Sequence, residues 1–216
     1  MDWKERFKEI YQILLFDFIF PSEVAKIEGV DQYSKEEIET LSFSLPNDEN
    51  AQTLLARYCK EEKLILFPGP SLEMNLLEIR SLDSDQFHSS SNSWYEEQEF
   101  ARNDKVFPGW YVIKNTLSQP MSWRDYKHSL SQIQRPPNIA ELVWIMILYE
   151  KIRSRKMFNE DEGVVRTFSR EDKENNWRVC VDNMSTLGNC IDLYTCPDWL
   201  PTKTTYIQEI NFLFKS

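Results

Sequence analysis

The sequence contains few of the residues and patterns on which common enzyme chemistry depends. Only two histidines occur, His88 and His128, and neither lies in the HExxH arrangement of zinc hydrolases. No GxSxG sequence is present, which excludes the usual nucleophile elbow of the α/β-hydrolases. There are five glycines in all, and the Pro-Gly-Pro at residues 68–70 lacks the lysine and serine of a phosphate-binding loop, so we interpret it as a turn. The sequence therefore predicts no catalytic residue.

The four cysteines do not follow a metal-binding pattern. Cys180, Cys190 and Cys196 are separated by nine and five residues, whereas a zinc knuckle needs two to four. No signal peptide is recognisable, so we expect a cytoplasmic protein whose thiols, including Cys59, are reduced and structural. We expect no metal and no cofactor. A Cys–His nucleophilic pair stays open as an alternative, because such partners are distant in sequence.

Basic residues are outnumbered by acidic ones. There are 25 Lys and Arg against 35 Asp and Glu, which gives a formal net charge of −10. Residues 1–62 alone hold 14 acidic and 7 basic side chains. An acidic surface repels phosphate backbones, so general nucleic-acid binding is disfavoured, while contact with a basic protein or a local basic patch stays open.

The chain also lacks an apolar run long enough for a membrane span. The densest run, residues 10–20, is interrupted by Gln12 and Asp17 and is shorter than the ~20 residues that a span needs. The spacing instead predicts an amphipathic helix that ends before Pro21. We expect this helix to pack on the core of its own chain, which favours a monomer over a homodimer. The residues predicted on its apolar face are Trp3, Phe7, Ile10, Tyr11, Leu14, Leu15 and Phe18.

The C-terminal half carries the clearest structural signal. Residues 142–149 are eight consecutive apolar residues, and Asn138 stands three residues before Glu141, as in a capping box. A helix over about residues 138–156 that is apolar on every side must lie inside the fold. Alternating strands within residues 163–196 are predicted to form an antiparallel meander on that helix. The predicted inward residues are Val165, Val179 and Val181, with Arg166 and Arg178 on the opposite, charged face.

The composition supports a compact fold. Apolar residues make up 41% and aromatic residues 13% of the chain, so it can bury a large core. We predict an α+β fold: a central buried helix packed against a mostly antiparallel sheet, with an N-terminal helical region. Residues 1–62 are the acidic helical region packed on the body, and residues 63–216 are the α+β body, within one compact domain overall.

Weaker patterns predict the remaining elements. Ser34 has capping-box spacing with Glu37, which predicts a short helix from that point. A second helix is predicted over residues 51–62, with Leu54, Leu55 and Tyr58 facing inward. The other predicted elements are a strand over 63–67, a strand or helical turn over 76–82, a strand over 110–115 and a helix over 123–132.

Two groups of charged residues are candidates for a polar surface or an anion site. The first crowds the end of the central helix, where cations complement the helix dipole and a bound anion is the sharper alternative. The second lies on the predicted meander, where cross-strand ion pairs are the simpler explanation and a ligand-binding cluster is the alternative. The candidates are, in the first group, Arg153, Arg155 and Lys156 and, in the second, Arg166, Arg178 and Asp182.

Several pieces of the chain are distinctive when taken together, namely LLARYCKE (54–61), LLEIRSL (76–82), SWYEEQEFARNDK (93–105), GWYVIK (109–114), MSWRDYK (121–127), PPNIAELVW (136–144), VVRT (164–167) and WRVCV (177–181). In these pieces the chain resembles a group of uncharacterised bacterial proteins, encoded mostly in small genomes. The resemblance covers about residues 54–196, and residues 1–50 do not share it. The resemblance also implies a glycine-rich, tryptophan-bearing tail after residue 181, where this chain has NMSTLGNCIDLYTCPDWLPTKTTY. No activity is established for the group, so the resemblance implies no chemistry.

Three functions follow from these observations as alternatives. The leading hypothesis is a non-enzymatic cytoplasmic interaction or regulatory protein that binds another protein, with origin in a mobile element as a further interpretation. The runner-up is an enzyme that uses a carboxylate or Cys–His site. The third is nucleic-acid binding through a local basic patch formed by Arg153, Arg155, Lys156, Arg166 and Arg178.

Overall fold

The predicted α+β fold is confirmed in a computed structural model, which describes residues 3–27, 33–87, 94–158, 164–171, 176–184 and 190–210. The helices are α1 (Trp3–Arg6), α2 (Lys8–Leu14), α3 (Pro21–Val24), α4 (Lys35–Phe43), α5 (Glu49–Glu61), α6 (Leu76–Leu82), α7 (Glu99–Asn103), α8 (Trp123–Ser129) and α9 (Ile139–Arg153). The strands are β1 (Leu64–Pro68), β2 (Met74–Asn75), β3 (Lys105–Val106), β4 (Trp110–Lys114), β5 (Val165–Arg170), β6 (Trp177–Met184), β7 (Cys190–Pro197), β8 (Lys203–Thr204) and β9 (Ile207–Glu209).

The strands form three sheets. Strands β1, β4 and β9 pair antiparallel in the order β1-β4-β9, and β2 pairs with β3. The third sheet has the order β7-β6-β5-β8, in which β8 runs parallel to β5 and the other pairs are antiparallel. No helix in the described ranges is long and apolar enough to cross a membrane.

Helix α9 is the buried centre of the molecule, as predicted. Every residue from Ile139 to Tyr149 is buried. The predicted capping box is present, because the Asn138 side chain accepts the Glu141 N–H and the Glu141 carboxylate accepts the Asn138 N–H, each at 2.9 Å. The helix contacts β5 and β6 on one side and α3, α6, α7 and β3 elsewhere, which explains why it needs no polar face. The Trp144 indole N–H donates to the Pro68 carbonyl at 3.0 Å, which ties α9 to β1.

The C-terminal sheet contains the predicted antiparallel meander, but one face of the meander is buried where it was predicted to be exposed. Val165 pairs with Val181, and both join the core together with Val179. Arg166 and Arg178 were predicted on a solvent-exposed face, and that prediction is wrong: both side chains are buried. The reason is that the second face of the sheet is covered by residues 198–204 and by α8, which the alternation of the strands does not reveal.

The N-terminal region packs on its own core, but not as one helix. It is broken at Phe7 and again at Leu15, whose φ of +50° ends α2. The chain then turns so that Phe18 bridges to Leu66 of β1. Of the predicted apolar face, Phe7, Ile10, Leu14 and Phe18 are buried and Tyr11 is partly buried; Leu15 is exposed, contrary to prediction, and the Trp3 side chain lies outside the described residues.

The other elements follow the predicted positions with local differences. Ser34 caps α4 through the predicted box with Glu37. Helix α5 begins earlier than predicted, at the cap Asp48, and Leu54 is 67% exposed rather than inward. Helical geometry explains this, because the buried stripe of α5 lies on the opposite side and consists of Gln52, Leu55, Ala56 and Cys59. The ambiguous segment 76–82 is a helix, and α8 ends at Ser129, before residue 132.

Candidate functional site

Arg153 has a structural role at the end of α9. Its side chain is only 9% exposed and pairs with Glu23 at 2.9 Å. The same guanidinium donates to the backbone carbonyls of Phe16 at 2.8 Å and Phe18 at 2.7 Å. These contacts hold the turn that follows α2. Arg153 therefore serves to shape the N-terminal region, and it is not available as an anion ligand.

Arg155, two residues further on, faces a cleft of about 420 Å³. Its guanidinium lies 5.3 Å from the centre of the Tyr149 ring and donates to the Tyr149 hydroxyl. The cleft lies between the end of α2, the end of α5 and the residues after β4. We refer to it as the cationic cleft; the charged and polar side chains that line it are Asp17, Lys60, Lys63, Asn115, Thr116 and Arg155.

The fold brings the three cations of the cationic cleft together from separate elements. Lys60 lies in the last turn of α5, and Lys63 follows that helix with a left-handed φ of +54°. The Asn115 N–H donates to the Lys63 carbonyl at 2.8 Å, which places the residue after β4 at the same cleft. In the described part of the chain, no ion pair involves Lys60 or Lys63. The sequence identified Arg155 as a candidate but missed both lysines, because Lys60 and Lys63 precede Arg155 by more than ninety residues along the chain.

Two further groups in the cationic cleft are in unusual environments. Burial raises the pKa of the Asp17 carboxyl above its ordinary value, although the nearby Arg155 and the Tyr149 hydroxyl oppose this. The Asn115 side-chain oxygen is buried and has no hydrogen-bond partner among the described residues. Lys156, the third candidate at this end of α9, does not line the cleft and instead acts electrostatically on Glu150.

The second predicted group forms a buried cluster around an unpredicted carboxylate. Arg178 donates from its Nε to the Asp198 carboxylate at 3.0 Å and from Nη1 to the Phe168 carbonyl at 2.6 Å. Its guanidinium lies over the Trp123 ring at 4.2 Å from the ring centre, a cation–π contact. Arg166 donates to the Thr202 hydroxyl at 2.6 Å and to the Leu200 carbonyl.

The chain itself supplies partners for this cluster, except at the Arg166 Nε, which has no hydrogen-bond partner among the described residues. Burial lowers the pKa of both Arg166 and Arg178, and the Asp198 carboxylate opposes that effect on each. The anionic partner that buried arginines require is therefore supplied by the chain itself. Asp182 does not join the cluster; it pairs in register with Asp192 across β6 and β7.

Burial also removes most of the basic patch proposed for nucleic-acid binding. Arg153, Arg166 and Arg178 are enclosed by the protein, so they do not present their charges to a phosphate backbone. Of the five residues in that hypothesis, Arg155 and Lys156 remain outside the core.

A cavity of about 620 Å³ is lined by a carboxyl group with a perturbed pKa, that of Asp104. Burial raises the pKa of Asp104, and a hydrogen bond with Ser169 opposes the shift. The Ser169 hydroxyl also accepts the Ile139 N–H at 2.8 Å, at the start of α9. The remaining charged residues that line this cavity are Glu97, Glu99, Arg170 and Glu171.

The cysteines differ from the expectation of reduced thiols. Cys180 of β6 and Cys196 of β7 are joined by a disulfide, so the expectation is wrong for this pair. It brings together two buried strand residues that lie diagonally across neighbouring strands. Cys59 is a free, buried cysteine, and burial raises the pKa of its thiol to about 12. For the Cys–His alternative, His128 is exposed on α8, and His88 lies outside the described residues.

Within the described ranges, no group of three or more His, Cys, Asp and Glu side chains is arranged to hold a metal ion. No protein-family model, curated protein or solved structure matches this chain. The resemblance to a bacterial group therefore stays a prediction.

Proposed function

We propose that this chain is a non-enzymatic cytoplasmic interaction or regulatory protein that binds another protein. The observation that carries the proposal is a group of exposed apolar side chains at one end of the C-terminal sheet. Trp199 is 74% exposed there, the highest value among the large apolar side chains described as exposed. Exposed aromatic side chains are enriched at protein interaction sites. We refer to this group of residues as the aromatic end; its members are Phe168, Trp177, Trp199 and Leu200.

Backbone contacts bring these residues to the same end of the sheet. Trp177 pairs in register with Pro197, and the Asp198 N–H donates to the Asn176 carbonyl at 2.8 Å. Trp199 therefore lies two residues after the end of β7, next to the start of β6. Phe168 reaches the same end, because its carbonyl accepts a hydrogen bond from Arg178.

Hydrogen bonds hold the backbone that carries Trp199 and Leu200, which favours binding. Asp198 is fixed by Arg178, its carbonyl accepts the Trp123 N–H at 2.9 Å, and the Leu200 carbonyl accepts from Arg166. A preorganised surface loses less conformational entropy on association, and tryptophan is enriched among the residues that dominate binding energy. The net charge of −10 favours a partner with a basic surface around the apolar contact.

The proposal is tested by placing a photo-crosslinking amino acid at position 199 in cells of the native host. The matched control carries it at position 72, because Leu72 is 72% exposed and lies far along the chain from the aromatic end. We expect a discrete adduct with another protein from position 199 and none from position 72. Equal adducts from both positions would overturn the proposal, as would an adduct with a second copy of the chain alone.

The second candidate function is an enzyme that uses a carboxylate, and the environment of Asp104 is the observation that favours it. A carboxyl group whose pKa is raised inside a cavity is a candidate general acid or base. The hydrogen bonds from Ser169 to Asp104 and from the Ile139 N–H to Ser169 also support a structural role at the start of α9. A thermal-shift screen separates these roles: a compound that stabilises the wild type and not Asp104→Asn would favour the enzyme.

A further inference from the structure

We propose that the cationic cleft binds a small phosphomonoester that carries an apolar or planar group. The cleft is separate from the aromatic end, so this inference does not depend on the proposed protein interaction. Its volume of about 420 Å³ lies within the range of roughly 300–1,000 Å³ that is usual for small-molecule sites.

The charge of the cleft matches a phosphate group. Lys60, Lys63 and Arg155 carry three positive charges, and Asp17 supplies one carboxylate, which leaves two positive charges in excess. A phosphomonoester carries about −1.5 to −2 at pH 7, whereas a carboxylate carries a single negative charge. This local excess is notable in a chain whose net charge is −10.

Arg155 adds directional donors to this charge. Its guanidinium is a planar fork of N–H groups that suits the oxygens of a phosphate. The contact with the Tyr149 ring and the hydrogen bond to the Tyr149 hydroxyl orient that fork at the rim of the cleft. The two lysines line the same cleft from the end of α5, so an anion in the cleft meets cations from two separate parts of the chain.

An apolar wall beside the cations is the reason for proposing that the phosphomonoester carries an apolar or planar group. Leu15 is 53% exposed and Phe16 is 67% exposed, and both line the cleft. Leu15 has a left-handed φ of +50°, a conformation that a leucine rarely adopts. Arg153 holds this turn through the Phe16 and Phe18 carbonyls, so the apolar wall is fixed in place. A ring or other apolar group attached to the phosphate would cover these side chains.

Asn115 also lines the cleft. Its side-chain oxygen is buried beneath the surface and has no hydrogen-bond partner among the described residues, whereas buried polar atoms in proteins are nearly always partnered. The proposal therefore rests on the cations and the apolar wall. The cleft offers a place for the phosphate and an apolar surface for the group attached to it.

The test is isothermal titration calorimetry on the full chain with phenyl phosphate, inorganic phosphate, benzoate and phenol. We expect phenyl phosphate to bind about tenfold more tightly than inorganic phosphate, because the ring covers the apolar wall. Benzoate should bind more weakly than phenyl phosphate because it carries one charge, and phenol should not bind. Absence of phenyl phosphate binding at millimolar concentration would overturn the proposal, and so would benzoate binding as tightly as phenyl phosphate.

Variants then locate the site. We expect Lys60→Gln and Lys63→Gln each to weaken phenyl phosphate binding about fivefold or more through the lost charge. Phe16→Ala should reduce the preference for phenyl phosphate over inorganic phosphate and leave phosphate binding unchanged. The matched control is Lys127→Gln, an exposed lysine on α8 that does not line the cleft. An equal loss of affinity for phenyl phosphate in Lys127→Gln and Lys63→Gln would overturn the assignment of the site to the cationic cleft. If Lys63→Gln fails to fold, the affinities of Lys60→Gln and Phe16→Ala decide the assignment.

Discussion

At the scale of single residues, the burial of two charged side chains is the clearest difference between the structure and the pattern of the sequence. Arg166 and Arg178 occupy strand positions that alternate with valines, a pattern typical of a half-exposed sheet. They are nevertheless buried, because the Asp198 carboxylate accepts from Arg178 and the carbonyls of Pro197 and Leu200 accept from Arg166. Among the described residues only the Arg166 Nε has no hydrogen-bond partner in this cluster. The pairing with Asp198 therefore allows charged side chains to be buried on the face of the sheet that the alternation predicts to be exposed.

The Arg178–Asp198 pair gives the first prediction. Asp198→Asn leaves the buried Arg178 guanidinium without its charge partner, so we expect a loss of about 2–4 kcal/mol in the free energy of unfolding. This is below the cost for a fully buried pair, because Asp198 keeps some contact with solvent. Urea denaturation measures the effect, with Asp85→Asn as an exposed control that should change little. Equal stability of Asp198→Asn and wild type would contradict the assignment.

Cys59 predicts how stability depends on alkaline pH. Burial raises the pKa of its thiol from an ordinary value of 9.0 to about 12 in the folded state. Below pH 9 the neutral, buried thiol makes its full contribution to the free energy of unfolding. That contribution is lost as the pH rises through 12, because between these values the thiol ionises only in the unfolded chain. We expect the free energy of unfolding to fall by up to about 1.4 kcal/mol per pH unit in that window. The slope should be shallower in Cys59→Ala, and identical slopes would contradict the prediction.

At the scale of elements, helix α9 organises the packing of the sheets and helices around it. It combines a sequence-local cap at Asn138 with an apolar surface on every side. Both features can be recognised from a short stretch of sequence, since capping and periodicity depend on neighbouring residues.

Helix α9 gives the prediction that belongs to this scale. Trp144→Ala removes a fully buried ring and its hydrogen bond to the Pro68 carbonyl, so we expect destabilisation of about 3–5 kcal/mol. Ile147→Ala should cost about 2–5 kcal/mol through its cavity alone. Leu54→Ala on the exposed side of α5 is the matched control. Thermal melts of both core variants within error of wild type would show that α9 is not the centre of the fold.

The elements also show which parts of the fold can be predicted from the sequence and which cannot. The positions of α4, α9, β1 and β4 were predictable because caps and apolar runs are local signals. The exposure of Leu54, the break at Leu15 and the burial of the two arginines were not, because each depends on a partner distant in sequence. The cationic cleft was missed in part for the same reason, since Lys60 and Lys63 meet Arg155 only in the folded chain.

At the scale of the whole molecule, the N-terminal region completes the core of a single chain. Phe7, Ile10, Leu14 and Phe18 are buried within the same cluster as α9. We therefore expect a monomer by light scattering, and we expect removal of residues 1–20 to destabilise it, because the underlying apolar surface would become exposed. A full-length dimer together with a stable, monomeric truncated chain would contradict this expectation.

The central claim is that the aromatic end around Trp199 is a protein-binding surface, and hydrogen–deuterium exchange tests it most directly. The measurement compares the chain alone with the chain bound to the partner identified by crosslinking from position 199. We predict slower exchange on binding in residues 176–178 and 198–200, with little change around α5. Protection confined to other surfaces, with unchanged exchange at residues 198–200, would contradict the claim.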